Sequence, residues 1–411
     1  MDSCAHPSLM SVEQALSHLL EQLSVKSETA KFPIEKSHGH YLADSATAQT
    51  DIPSFANSAM DGYAFAYDDL ANNSSLEITH HILAGDTTSH QLNAGECARI
   101  MTGAPLPIGA DTVVMQERTE VNDNHMSING SVKKGENVRL PGESIAQGTQ
   151  VALSGDKISA AHIGLFASIG LTSVQCFKPL TIGIFSTGDE LKQPGQPLEF
   201  GQIYDSNRAM LAAILHQLPV QVIDYGAIND DLEAITQVLA TADKQCDAVI
   251  SSAGVSVGTA DFTKTALETL GQIEFWKVAM KPGKPFAFGR LSNSVFFGLP
   301  GNPVSAMVTF LQLVVPALTK LGGGKVHPSV RWPAIATTPF KKRPGRTDFQ
   351  RAIAHVNAQG HWEVQSSGFQ GSATLTTFIG ANCFAVLEKD RGPVSKGEIV
   401  QIEMIPSILT A

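Results

Sequence analysis

Apolar residues recur at helical spacing near the start of the chain, at Val12, Ala15, Leu16, Leu19, Leu20 and Leu23, directly behind Ser11 and Gln14. The S-x-x-Q pair has the form of a capping box, so an amphipathic helix is predicted from there to about Val25. From Asp51 to about Gly148 the texture changes to short β-type runs, at 97–101, 111–117 and 138–140, punctuated by Gly, Pro and Asn. These predict a small β-rich domain. Between 180 and 321, apolar strand runs at 180–185, 220–225, 248–252 and 294–299 alternate with helical stretches near 207–217, 232–242, 262–270 and 304–321. Such alternation predicts βαβ units, a parallel sheet and right-handed crossovers. The runs 275–278 and 285–288 fit less well and read as an antiparallel excursion. Gly322, Gly323 and Gly324 stop the last helix, and from about Pro328 short strands return, notably 363–365 and 384–388.

Composition narrows the class. The chain has 411 residues, 43% hydrophobic and 17% charged, enough for two to four domains with ample core. Five cysteines, Cys4, Cys97, Cys176, Cys246 and Cys383, are odd in number and widely spaced, which points to a reducing compartment and excludes a disulfide-stapled miniprotein. The most apolar stretch, 304–318, is interrupted by Ser305, Thr309 and Gln312, so a cytoplasmic protein that neither spans nor leaves through a membrane is expected. The net charge of −10 argues against non-specific nucleic-acid binding. From 328 onward nine Lys and Arg face six Asp and Glu, against 20 and 33 in the rest, so a mildly basic C-terminal part sits on an acidic body.

In parallel sheets ligands collect at the carboxyl ends of the strands. Three turns there are unusual: Gly188-Asp189-Glu190 after the first strand run, Gly254-Val255-Ser256-Val257-Gly258 followed by Asp261 after the third, and Pro300-Gly301-Asn302-Pro303 after the fourth. Small residues admit a ligand close to the backbone, and free N–H groups at a helix start favour an anion. Asn302 suits an N-cap and Pro303 the first helical position. Asp189, Glu190, Asp230 and Asp261 fall near the same edge, a set of oxygen donors suited to Mg²⁺ shared with substrate phosphates. Asp230-Asp231 equally suits a plain cap for the helix beginning at Leu232. Lys277, Lys281 and Lys284 lie on a Pro/Gly turn leading back to that edge and suit a phosphate or other oxyanion. The basic run from Lys341 to Arg346, with Arg351, reads either as a solvated loop or as part of an anion site. Gly254 to Gly258 also matches the nucleophile elbow G-x-S-x-G, but only His327, His355 and His361 follow it, at or beyond the end of the α/β block. Neither a Walker A nor a G-x-G-x-x-G sequence occurs.

Several long blocks together resemble the MoeA family of molybdopterin molybdenumtransferases, to which the gephyrin E domain is related. They are Asp51-Ile-Pro-Ser-Phe-Ala-Asn57-Ser-Ala-Met-Asp61-Gly-Tyr63-Ala64, Arg99-Ile-Met-Thr102-Gly-Ala104, Ser186-Thr-Gly-Asp-Glu190, the Gly254 and Lys281-Pro-Gly-Lys284-Pro285 turns, and Leu299-Pro-Gly-Asn-Pro303. The resemblance covers about residues 10 to 405. It implies an α/β multidomain fold: a central parallel-sheet domain of the molybdopterin-binding type from 7–26 and 179–327, a linking domain from 27–45 and 146–178, a β-rich domain at 46–145, and a C-terminal β-barrel-like domain at 328–411. It further implies a homodimer in which the β-rich domain contributes to the partner subunit's active site. The implied activity is Mg²⁺-dependent insertion of molybdate into adenylylated molybdopterin with release of AMP. Implied partners are a protein supplying the adenylylated pterin and apo-molybdoenzymes or cofactor-maturation proteins, with no nucleic acid and no membrane.

Carried over by motif, the resemblance implies catalytic roles for Asp61, Thr102, Glu190, Asp230 and Asp261, the last three also as metal ligands. It implies binding of the pterin nucleotide or molybdate by Gly188, Asp189, Gly254, Val255, Ser256, Gly258, Lys277, Lys281, Lys284, Pro300, Gly301, Asn302, Pro303, Arg351 and Ser372. The chain departs from the family at Gly142-Glu143-Ser144-Ile145, where an acid is frequent in place of Ser144. The alternatives are a gephyrin-like scaffold or carrier that binds molybdopterin, and another nucleotide or sugar-phosphate enzyme.

Overall fold

The computed structural model of the chain describes residues 9–25, 28–254 and 262–406. The capping box forms as predicted: Gln14 N–H donates to Ser11 Oγ at 3.1 Å, and Ser11 N–H donates to Gln14 Oε1 at 3.0 Å. Helix Val12–Gln22 ends earlier than the pattern suggests because the backbone becomes extended at Leu23. Val12, Ala15, Leu19 and Leu23 bury against the apolar residues of the central sheet and of helix Val315–Leu321. The N-terminal helix therefore belongs to the α/β core, far along the chain from its own sequence neighbours.

The central sheet has six strands in the order Val220–Ile228, Leu180–Thr187, Ala248–Ser252, Val295–Leu299, Pro285–Arg290, Gln272–Lys277. The first four run parallel, and Pro285–Arg290 is antiparallel to both of its neighbours, so the expected excursion is a hairpin at one side of the sheet. Helices Ser206–Leu215, Leu232–Gln245 and Phe262–Leu270 join or flank the strands. Two apolar clusters form on the sheet: one is built with Leu211, Ile214 and the helix after Pro303, the other with Ile235, Leu239, Ala266 and Leu267. This double cover explains why the inner strands are almost wholly apolar. The segment Pro303–Leu321 is one long helix with a π-helical turn at Phe310–Val314. It is apolar and long enough to cross a membrane, yet it is mostly buried as a core helix.

Residues before and after this unit form other sheets. A curled six-stranded sheet has the order Thr112–Met115, Gly62–Phe65, Glu96–Ile100, Leu76–Ile82, His125–Ile128, Thr119–Asn122. Short antiparallel pairs, Thr29–Pro33 with Ser173–Phe177 and Ala46–Thr47 with Gln150–Ala152, enclose a small core that includes Leu42, Ile158 and Phe166. At the C-terminus, Thr347–Val356, Trp362–Ser366, Arg331–Ala336, Ile399–Met404 and Cys383–Leu387 pair in sequence, and the last pairs back to the first. That closure makes a five-stranded barrel and leaves no free edge among these strands. Met280–Lys281, from the tip of the central hairpin, adds in parallel to Thr347 and Asp348 and ties the barrel to the α/β unit. The four described cysteines are free and buried.

Candidate active site at the carboxyl edge of the parallel sheet

Strand register sets the site. Thr187 lies opposite Ile228, Ser186 opposite Ser252, and Ser252 opposite Leu299, so the four parallel strands end level with one another. The turns that leave three of them, after Thr187, Ser252 and Leu299, converge on a cavity of about 500 Å³, whose lining includes Glu190, Asp205, Asn207, Ser252, Gly254, Pro285, Asn302 and Pro303. A cavity of about 680 Å³ opens near the amino edge, but its buried Asp243 is committed to Asn293 and Ser294. Ligands of open parallel sheets gather at the carboxyl edge.

In the first turn Gly188 has φ +144°, and a Cβ there would lie 2.6 Å from Glu190 Oε2. Glycine thus lets the Glu190 carboxylate fold back over the turn. Asp189 Oδ1 accepts the Asp230 N–H at 3.0 Å, which joins the first and second strand ends. The capping alternative for Asp230 falls to its neighbour: Asp231 is the N-cap of helix Leu232–Gln245, accepting from Ala234 N–H at 2.9 Å. Asp230 is left exposed toward the other acids. Desolvation, then the charges of Asp189 and Glu190, raise its pKa. Among the described residues no three His, Cys, Asp or Glu side chains form a ready metal shell. Mutual repulsion of carboxylates is nonetheless what a divalent cation relieves, and Mg²⁺ ordinarily takes one or two protein carboxylates together with substrate phosphates. The described donors Glu190 and Asp230 fit that mode. Asp261, Val255, Ser256 and Gly258 lie outside the described residues. Of that turn, Ala253 and Gly254 have φ of +77° and +74°.

In the fourth turn Pro303 occupies the first helical turn as expected, while Asn302 holds the N-cap position without a side-chain capping bond among the described residues. The expected capping role of the Asn302 side chain is thereby corrected: it is exposed and uncommitted. Val304 N–H instead donates to the Ser372 carbonyl at 3.0 Å, which brings the barrel loop carrying Ser372 to the helix start. Arg351 lies beneath that loop, 1% exposed, with Nη2 donating to the Gly371 carbonyl at 3.0 Å and Nε to Thr377 Oγ1 at 3.0 Å. Burial lowers its pKa to about 10. Its guanidinium is an internal clamp on residues 369–371, neither a solvated loop group nor an open ligand contact.

Lys277 ends one hairpin strand opposite Pro285, and Lys281 and Lys284 lie in the connection between them. All three are exposed at this edge. Lys281 Nζ sits 3.3 Å from the buried Asp348 carboxylate, so part of its charge is already matched. Lys342, in the basic run, is buried and donates to the carbonyls of Arg343 and Arg346, a structural clip.

Asp61 and Thr102 lie together on the curled-sheet unit: Asp61 Oδ1 accepts from Thr102 N–H at 2.7 Å and from Thr102 Oγ1 at 2.8 Å. The backbone bond, then the hydroxyl bond, lower the Asp61 pKa, with Arg99 assisting. Both residues are exposed, and neither lines the cavity at the sheet edge. Glu143 accepts from Leu140 N–H at 2.9 Å, closing its own turn. Two polar residues of the cleft were not foreseen. Asp205 caps helix Ser206–Leu215 and is saturated by Ser186 Oγ and by Arg208 N–H and Nε–H. Asn207 lines the cavity two residues on. The Asp-Ser-Asn start of a helix after the first strand was the available signal.

Comparison with known proteins agrees along the whole chain. Residues 10–170 match the family model of the MoeA N-terminal region (domain I and II), 183–320 that of a probable molybdopterin binding domain, and 333–405 that of the MoeA C-terminal region (domain IV). The chain is 44% identical over 403 residues to a molybdopterin molybdenumtransferase of Haemophilus influenzae, spanning 98% of this chain and 100% of that one. It is 33% identical to a gephyrin of Dictyostelium discoideum over 97% of this chain and 62% of that one. The solved molybdopterin biosynthesis moeA protein of Pyrococcus horikoshii OT3 superposes with a TM-score of 0.83 at 26% identity, covering 97% of this chain and 100% of that one.

Proposed function

The chain belongs to the MoeA family of molybdopterin molybdenumtransferases, transferase enzymes of molybdenum cofactor biosynthesis; from that premise we propose that it inserts molybdate into adenylylated molybdopterin, releases AMP and requires Mg²⁺. The observation that carries this reading is the meeting, on one sheet edge, of repelling carboxylates with lysines and tight glycine turns. Acids without a cation would repel a phosphate, and lysines without acids would hold one but leave Mg²⁺ unbound. Together they suit a substrate whose phosphates complete the metal's coordination. Mg²⁺, when bound by Glu190 and Asp230 with Asp261 as third ligand, would supply charge stabilisation for phosphoanhydride cleavage.

The protein's own groups then position and bind. Lys277, Lys281 and Lys284 hold oxyanions; Gly188, Asp189, Gly254, Val255, Ser256 and Gly258 give the substrate backbone access; Pro300, Gly301, Asn302 and Pro303 shape the wall. Arg351 serves by holding the loop that presents Ser372. Asp61 and Thr102 do not line this cleft in their own subunit, which favours a homodimer in which they reach the partner's cleft. The four-part division implied by the resemblance is supported by separate apolar cores for the barrel, the linking pairs and the curled sheet. The test is to incubate purified protein with adenylylated molybdopterin, Mg²⁺ and molybdate, measuring AMP release and reconstitution of an apo-molybdoenzyme. Both should depend on molybdate. Binding of the pterin nucleotide without either signal would shift the reading to a carrier or scaffold.

A further inference from the structure

One atom in the cleft wall is unspent. Asn207 is 7% exposed, and its Nδ2 donates to Ser252 Oγ at 2.8 Å and to the Gly301 carbonyl at 2.7 Å. A carbonyl only accepts, so the Gly301 contact fixes which end of the amide faces it. Both amide protons are therefore used in tying the turn after Ser252 to the turn after Pro300. The other end, Oδ1, is buried and has no hydrogen-bond partner among the described residues. A buried amide oxygen left unpaired is destabilising, and such groups in folded proteins ordinarily meet a partner or a ligand. The neighbouring Asp205 carboxylate does not compete for that ligand, because Ser186 and Arg208 already occupy it.

We infer that Asn207 is a substrate-binding residue whose Oδ1 accepts a hydrogen bond from an O–H or N–H group of the adenylylated pterin, an assignment that rests on the transferase reading above. The chemistry separates it from the lysines. Ionised phosphate and molybdate oxygens have no proton to give, so Oδ1 turns away the groups that the lysines attract and reads a neutral part of the substrate instead. Three parts qualify: the ribose hydroxyls, the adenine amino group and the pterin N–H groups.

Isothermal titration with AMP, 2′,3′-dideoxy-AMP and 6-hydroxymethylpterin, each in the presence of Mg²⁺, distinguishes them. If the ribose is read, wild-type protein binds AMP about tenfold more tightly than the dideoxy analogue, and Asn207→Ala erases that difference. If the pterin is read, Asn207→Ala weakens the pterin about tenfold and leaves both nucleotides unchanged; if the adenine amino group is read, it weakens both nucleotides about tenfold and leaves the pterin unchanged. An equal loss for all three probes marks a strut without a ligand contact and overturns the assignment, as does unchanged binding of all three by a folded variant. Should Asn207→Ala fail to fold, Asn207→Asp keeps an acceptor oxygen while losing the amide donors; retained discrimination supports the proposal and its loss overturns it. Wild-type protein that binds none of the probes overturns the substrate reading and this assignment together.

Discussion

Asp230→Asn should make the protein more stable and less responsive to Mg²⁺. The substitution removes one of three neighbouring carboxylates but preserves the backbone N–H that donates to Asp189. Because the group is exposed, the repulsion is screened, and relief of both like-charge contacts is worth about 0.5–1 kcal/mol. For domains of this size that is a rise in Tm of about 1–4 °C without metal. With Mg²⁺ at a hundredfold excess over its Kd, wild-type protein should gain about 2.7 kcal/mol, most of which the variant forfeits. The pH dependence follows from the raised pKa. Protonation of Asp230 is favoured by folding, so its contribution to stability is fully present below the unfolded value near 3.8 and lost as pH rises through the folded pKa. The advantage of the variant should therefore be largest at neutral pH and shrink on acidification. Thermal unfolding of both proteins across pH, with and without Mg²⁺, measures all of this. A variant that is less stable than wild type at pH 7 and equally stabilised by Mg²⁺ would refute the reasoning.

Three further outcomes are expected. Asp243→Ala strips a buried carboxylate that accepts from Asn293 N–H and Nδ2 and from Ser294 N–H and Oγ, and should cost about 3 kcal/mol in urea unfolding without changing the Kd for AMP; a loss below about 1 kcal/mol contradicts it. Arg351→Lys cannot reach Thr377, Phe369 and Gly371 together with one ammonium, so stability should fall by about 2 kcal/mol and the Ser372 loop should gain protease sensitivity. Thr102→Val should raise the Asp61 pKa only part of the way to its ordinary value, because the larger, backbone contribution remains. A carboxyl-carbon NMR titration checks the shift. Since the folded pKa of Asp61 is depressed, its stabilising contribution is present above the unfolded pKa and lost as pH falls through the folded one, and the variant should show less of that acid-side loss.

Local pattern made much of the architecture legible. Strand and helix periods, the Ser11 capping box and the glycine turns depend on residues a few positions apart, so the α/β alternation and the edge at which its turns gather could be read directly. The acids and lysines near that edge were legible in the same way, and the resemblance then implied roles for them. Sequence pattern was ambiguous where two local solutions were equally good. Asp230 and Asp231 could each cap the same helix, and packing assigned the cap to Asp231, freeing its neighbour for the acid cluster. Arg351 read either as a solvated loop group or as part of an anion site, and barrel closure instead buried it as an internal clamp.

Asn207 shows the limit most clearly. Its residue type and place at a helix start are visible along the chain, but its importance comes from Ser252 and Gly301, which lie 45 and 94 positions away. The same holds for Met280–Lys281 joining Thr347 and Asp348, for the return of Cys383–Leu387 to Thr347–Val356, and for the N-terminal helix packing on the segment after Pro303. Hydrophobic periodicity is a property of neighbouring residues and survives in any linear reading. Hydrogen-bond partners, burial and charge proximity between distant segments exist only after chain entropy has been overcome and the sheets have closed, so those features had to be found in the fold.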